Sequence, residues 1–191
     1  MKKLKLTIAM SLFAALVSGN LSAQDTASDS HTITISVPKV ALVDIEPSAS
    51  KNLILGFTAP TEAGNPIVAS PANNSLWLNY SSIKSGSDTR TITVKLGPPL
   101  QGVDVHVTAA GPTGAGAGTL GASAGLLTLS GVDQTIISGI GSAYTGNGAN
   151  NGHNLTYAVV AGSGPGGVAN YAELQITANA QTTVTYTISD N

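Results

Sequence analysis

Short segments in which apolar and polar residues alternate recur along the chain, and this period constrains the fold more than any other feature. Ile92, Val94 and Leu96, for example, alternate with polar neighbours. Such alternation is typical of a strand with one buried face. Outside the N-terminal apolar run, no segment of eleven or more residues shows the 3.6-residue period of a helix. The predicted strands are 31–37, 39–45, 53–57, 75–80, 89–96, 102–109, 126–130, 133–138, 154–161, 170–177 and 182–188.

Many short strands joined by Gly, Pro and Asn turns predict an all-β fold. We expect one domain over residues 24–191, built as a single β-sandwich of Ig-like or pilin-like type. Residues 24–37 form its N-terminal extension. Eighteen of the 22 glycines lie between Gly97 and Gly167. We interpret these stretches as long, flexible Gly-rich surface loops; the alternative is tight backbone packing at a subunit contact.

The N-terminus has the pattern of a secretory signal peptide. Lys2, Lys3 and Lys5 precede an apolar run at residues 6–17, and small residues lead to Ala23. A run of twelve residues is shorter than the roughly 20 apolar residues that span a bilayer, so a transmembrane anchor is the weaker interpretation. Cleavage after Ala23 predicts a secreted protein, extracellular or at the cell surface, with no integral membrane segment.

Charge and composition exclude several classes of function. Only 9% of the residues are charged, and residues 24–191 carry five basic against ten acidic residues. This acidic balance argues against nucleic acid as a partner. The chain has no cysteine, which excludes disulfides and cysteine-ligated metals. We expect no cofactor and no metal site.

Motifs that resemble catalytic or nucleotide-binding signatures occur inside Gly/Ala tracts. Residues 121–125 satisfy G-x-S-x-G around Ser123, and residues 116–121 and 162–167 satisfy G-x-G-x-x-G. Both signatures require a following helix, which the sequence does not predict. We therefore expect no enzymatic activity, with a hydrolase at Ser123 as the least favoured hypothesis.

Histidines and aromatic residues offer the other candidate sites. Asp104 and His106 share a strand face and are expected to be solvated, while His153 is expected in an Asn/Gly loop with no carboxylate for a hard cation. Trp77 is the only tryptophan, and Tyr144 lies in a Gly/Asn segment. Burial of Trp77 in packing is the commoner outcome, and stacking of Trp77 and Tyr144 on a glycan is the alternative.

The layout of the chain resembles bacterial fimbrial and other surface-filament subunits. The resemblance rests on the signal peptide, strand 31–37, Leu55-Gly56-Phe57 and the C-terminal segment 182–191. It implies an incomplete sandwich completed by a strand from a neighbouring subunit. Ile33, Ile35 and Val37 would be the donor residues, and Val184, Tyr186 and Ile188 would belong to the acceptor strand. Unlike chaperone–usher subunits, the chain has no cysteine pair and ends in Ser189-Asp190-Asn191.

Together these patterns predict a non-enzymatic structural protein that self-associates as a cell-surface filament or surface-layer subunit. Edge strands with few charges have little protection against pairing with another chain, which favours a homo-oligomer or filament. A glycan-binding adhesin or carbohydrate-binding module is the alternative function.

Overall fold

A computed structural model of the chain describes residues 27–162, 169–177 and 180–191. The predicted signal peptide at residues 1–23 lies outside this part. The chain divides into two units after Ser36. In the first unit, the described residues 27–36 contain no strand and are exposed. The strands described below belong to the second unit, residues 37–191.

The described residues form thirteen β-strands and two short 3-10 helices. The 3-10 helices are Ser48–Ser50 and Tyr171–Glu173. The strands are β1 (Val40–Glu46), β2 (Phe57–Thr58), β3 (Val68–Ala69), β4 (Asn73–Ile83), β5 (Arg90–Leu96), β6 (Val103–Thr113), β7 (Ala117–Gly118), β8 (Ala122–Ser123), β9 (Leu126–Thr128), β10 (Gln134–Ile140), β11 (Ala143–Tyr144), β12 (Gly152–Ala161) and β13 (Val184–Asp190).

Most of these strands belong to two antiparallel sheets. The first sheet has seven strands. Six of them follow the order β7-β11-β4-β12-β6-β9, and the seventh, β1, pairs with the edge of β4 opposite to β11 and β12. The second sheet has the order β13-β5-β10-β8, and β2 and β3 form a separate hairpin. The fold is therefore all-β, as the alternating pattern predicts.

One hydrophobic core joins the inner faces of the two large sheets. In β5, Ile92, Val94 and Leu96 are buried, whereas the residues between them are half-buried. They join buried residues of β4, β6, β10 and β12 in one cluster. Each fully buried side chain of this size contributes roughly 1.5–3 kcal/mol. The two sheets thus depend on each other for burial, as in a β-sandwich.

Three of the predicted strands are absent or reduced to a single residue, and a fourth, 126–130, is shortened to Leu126–Thr128. Residues 31–37 form no strand, and only Phe57 of 53–57 is in one. Leu53, Leu55 and Phe57 do pack against the core, so their alternation reflects packing of an extended segment outside the two large sheets. Residues 170–177 form a 3-10 helix and irregular chain, because Asn170 caps the helix by accepting a hydrogen bond from Ala172 N.

Most of the Gly-rich stretch at 161–168 lies outside the described residues, whereas those at 109–125 and 139–153 are more ordered than flexible loops. They contain β7, β8, β11 and the end of β6. Gly118 has φ 91°, and a Cβ there would overlap the carbonyl oxygen of Ser142. A Cβ on Gly121 would lie 2.5 Å from Ser138 O. Glycine at these positions allows neighbouring backbones within one chain to approach closely, and this corrects the expectation of long flexible loops.

Arg90 is a buried charge that connects both large sheets. It begins β5, and only 1% of it is exposed. Its Nη1 donates to Val40 O in β1 and to Ser82 Oγ in β4, 3.0 Å away. Its Nε lies 2.6 Å from Asp190 Oδ1 in β13. The guanidinium therefore ties β1, β4 and β13 together at one end of the sandwich.

We expect Arg90→Met to lower the free energy of unfolding by about 1–3 kcal/mol, because Val40 O and Ser82 Oγ lose a buried donor. Urea unfolding monitored by Trp77 fluorescence measures this. Lys39→Met is the matched control, since Lys39 is exposed and its ion pair is with the other carboxylate oxygen, Asp190 Oδ2. Equal losses in the two variants would contradict the assigned role of Arg90.

Candidate functional site

The predicted donor segment is an apolar surface. Ile33, Ile35 and Val37 are 71%, 81% and 72% exposed. Three large apolar side chains at alternate positions of an unpaired segment are unfavourable in water. The segment has the composition of a strand without a partner strand. Its role as donor stays a prediction.

The predicted acceptor strand, β13, is the last strand of the second sheet. Val184, Tyr186 and Ile188 are half-buried and pack against the core. The hydroxyl oxygen of Tyr186 lies 2.5 Å from that of Tyr157 in β12. Burial raises the pKa of both tyrosines, that of Tyr157 to about 12. This pair remains uncharged at neutral pH and spans the core between the sheets.

Strands β1 and β13, each at one edge of its sheet, differ in their protection against pairing. The outward side chains of β1 include the carboxylates of Asp44 and Glu46. In β13, the only charged residue is Asp190 at its end. Hydrogen bonds from Lys39 and Arg90 hold the pKa of Asp190 below its ordinary value. Since charges protect sheet edges, β13 is the less protected of the two strands.

The outer face of the first sheet carries the predicted glycan contacts. Trp77 of β4 is half-buried, with Glu46 and Asn154 as its cross-strand neighbours. Tyr144 of β11 is 53% exposed and pairs with Ser81 of β4. Trp77 and Ser81 are four residues apart on one strand, so the two aromatic positions are separated by about 13 Å.

A groove lies on this outer face between Trp77 and the end of β4. It has a volume of about 450 Å³, and Asn79 and Ser81 are among its lining residues. Leu42 lies on one side of Ser81 in the sheet register, and Tyr144 lies on the other. We call this feature the β4 groove. Asn79 lies two residues after Trp77, so the strand period predicts that both share one face, but it does not indicate that Asn79 is buried.

A buried histidine lies next to β4 in the first sheet, as the cross-strand neighbour of the core residue Leu78. His153 belongs to β12, where it is fully buried, so its assignment to an open Asn/Gly loop is wrong. Its Nδ1 is 2.8 Å from Ala110 O, and its Nε2 is 3.0 Å from the hydroxyl of Tyr80. Tyr80 in turn donates to Leu120 O. Burial lowers the pKa of His153, and its hydrogen bonds to main-chain carbonyls oppose this effect.

Asp104 and His106 are also buried, which corrects the expectation of a solvated pair. They are 2% and 8% exposed. Asp104 Oδ1 accepts a hydrogen bond from Ala169 N. A Cβ on Gly102 would lie 2.6 Å from Leu174 N. The chain near residues 169–174 therefore covers this part of β6, and the sequence contains no signal for that covering.

Ser123 has a structural role in the described chain. It lies in β8, and its Oγ donates to Ala109 O at 2.5 Å. Gly125 N donates to Ser123 Oγ, and strand β9 follows. The segment thus lacks the strand–turn–helix geometry in which G-x-S-x-G presents a nucleophile.

Over residues 27–162, 169–177 and 180–191, no group of three or more His, Asp or Glu side chains is arranged to hold a metal ion. The helices in this part of the chain are too short to cross a membrane.

Comparisons with protein-family models, with curated proteins and with solved structures found no match to this chain. A function must therefore be inferred from the geometry and chemistry of the chain itself.

We expect the protein to lose stability as the pH falls from 7.5 to 5.5. Unfolding exposes His153 and restores its ordinary pKa of 6.5, so the unfolded chain binds the proton more readily than the folded one. His153→Gln should therefore weaken the pH dependence of the urea midpoint. His31→Gln, at an exposed position, should leave the pH dependence unchanged. A pH dependence that His153→Gln does not alter would contradict this assignment.

Proposed function

We propose that the protein is an exported, non-enzymatic structural subunit that self-associates on the cell surface as a filament or surface layer. Residues 31–37 of one copy pair with β13 of the next. The observation that carries this proposal is the alternating, exposed series Ile33, Ile35 and Val37, in a chain whose second sheet ends on a strand with a single charge.

Strand addition relieves two unfavourable features at once. It gives the outer backbone edge of β13 hydrogen-bond partners, and it covers the apolar side chains of the donor. Burial of each of these side chains is worth roughly 1.5–3 kcal/mol. Val184, Tyr186 and Ile188 are half-buried, so a neighbouring strand completes their burial. This arrangement corresponds to the pilin-like type of β-sandwich rather than the Ig-like one.

Donor and acceptor are different surfaces of the same chain, which determines the kind of assembly. Such a head-to-tail contact generates an open filament when the rotation between copies does not close a ring. The contact uses backbone pairing and apolar side chains, and it requires no cofactor. An open filament is therefore the expected product of this contact.

Export is supported by the first 23 residues. They have the basic, apolar and small-residue regions of a secretory signal. Their removal leaves Ile33, Ile35 and Val37 close to the new N-terminus, where a donor strand reaches a second copy with little steric hindrance. The mature chain is acidic and cysteine-free, so its stability depends on packing and on pairing between strands.

Ile35→Asp in the mature chain, residues 24–191, should abolish assembly, because a carboxylate would enter the apolar interface. Thr34→Asp is the matched control: it adds the same charge on the opposite strand face and should assemble. Negative-stain microscopy and analytical ultracentrifugation of the two variants and the unchanged mature chain measure the outcome. Monomers in all three samples, or fibres in all three, would refute strand donation by residues 31–37.

A further inference from the structure

We infer that the β4 groove binds a neutral, hydroxyl-rich glycan. This inference is independent of the proposed strand donation, because the groove lies on the outer face of the first sheet and β13 belongs to the second. Its binding groups come from β1, β4, β11 and the turn after β11.

The dimensions of the groove suit a sugar ring. Leu42 and Tyr144 are 66% and 53% exposed and stand on either side of Ser81 in the sheet register. Two strand spacings separate them, about 10 Å. The volume of about 450 Å³ falls in the range of small-molecule sites. A ring entering between these two side chains contacts apolar surface on both of its faces.

Asn79 supplies an unused hydrogen-bond acceptor at the floor of the groove. Only 5% of Asn79 is exposed. Its Nδ2 donates to Asn151 O at 2.6 Å, whereas its Oδ1 has no hydrogen-bond partner. A buried acceptor without a partner is unfavourable and rare in folded proteins. This oxygen has almost no accessible surface, so a ligand hydroxyl reaches it only when the groups that cover it shift, and the new hydrogen bond then removes that cost.

The other polar groups of the groove favour hydroxyl donors over anions. Asp44 pairs with Asn79 across the strands, and its carboxylate is exposed at the groove. Asn147 adds an amide from the turn after β11. A carboxylate accepts hydrogen bonds from vicinal hydroxyls but repels uronates, phosphates and sulfates. The acidic balance of the mature chain acts in the same direction.

The two aromatic residues, Tyr144 and Trp77, define the direction in which an oligosaccharide lies along β4. Tyr144 offers an exposed ring for stacking on the apolar face of a sugar. Trp77 lies two residues before Asn79 on the same face of β4 and next to Asn154. The span from Tyr144 to Trp77 exceeds one sugar ring, so an oligosaccharide along β4 contacts both. The half-buried state of Trp77 makes it the secondary contact.

Calorimetric titration of the mature chain with cellohexaose, maltohexaose, chitohexaose and oligogalacturonate tests this inference. We expect binding of at least one of the three uncharged oligosaccharides and none of oligogalacturonate. Tyr144→Ala should weaken binding about tenfold through loss of stacking, and Tyr144→Phe should retain it. Asp44→Asn should also weaken binding. Tyr171→Ala, at an exposed tyrosine outside the groove, should not.

Three results would overturn the inference. One is the absence of binding by all three uncharged oligosaccharides at millimolar concentration. Another is binding that Tyr144→Ala and Asp44→Asn leave unchanged. A third is a preference for oligogalacturonate. Urea midpoints close to that of the unchanged chain establish that each variant is folded, so a loss of binding reports on the groove.

Discussion

The buried guanidinium of Arg90 is the contact on which the arrangement of the sheet edges depends. A charge that is 1% exposed is tolerated only with partners, and Arg90 has them in three strands. It binds Val40 O at the start of β1, Ser82 Oγ near the end of β4 and Asp190 at the end of β13. The first strand and the last strand of the folded unit therefore meet at one end of the sandwich.

This constraint gives the two edges different properties. β1 is held against β4 over its whole length and has carboxylates on its outer side, whereas β13 is paired with β5 on one side only. An unpaired edge with a single charge is an unusual risk for a monomer. Such an edge can take part in assembly in a chain whose residues 31–37 carry alternating, exposed apolar side chains. The low overall charge and the edge geometry thus support the same function.

The period-two pattern predicts the fold class and most long strands, because alternation reports directly on a sheet with one buried face. It fails where alternation has another origin. Leu53, Leu55 and Phe57 pack on the core from an extended segment that joins neither large sheet. The short strands within the Gly-rich stretches carry too few side chains to show a period. Their pairing depends on close backbone approach, as at Gly118.

The candidate sites can be predicted from the sequence only in part. Trp77 and Tyr144 can be selected as aromatic residues in polar surroundings, and both lie on one face of the first sheet. The burial of Asn79 and the position of Asp44 opposite it follow from strand register, which the sequence does not state. The burial of Arg90, Asp104 and His153 cannot be predicted from the sequence for the same reason. Each depends on segments distant in the chain.

The most direct test of strand donation is disulfide trapping in this cysteine-free chain. Residues directly opposite on neighbouring antiparallel strands have Cα atoms about 4.5–5.5 Å apart, within the range of about 4.4–6.8 Å found for disulfides. The mature chain with Thr34→Cys is combined in one molecule with Thr185→Cys, Thr187→Cys or Ser189→Cys, assembled and oxidised. The account predicts a ladder of covalent oligomers on a non-reducing gel for at least one of these pairs, and none for Thr34→Cys with Leu126→Cys on the opposite edge strand β9. Assembly without a ladder from any β13 pair, or a ladder from the β9 pair, would contradict it.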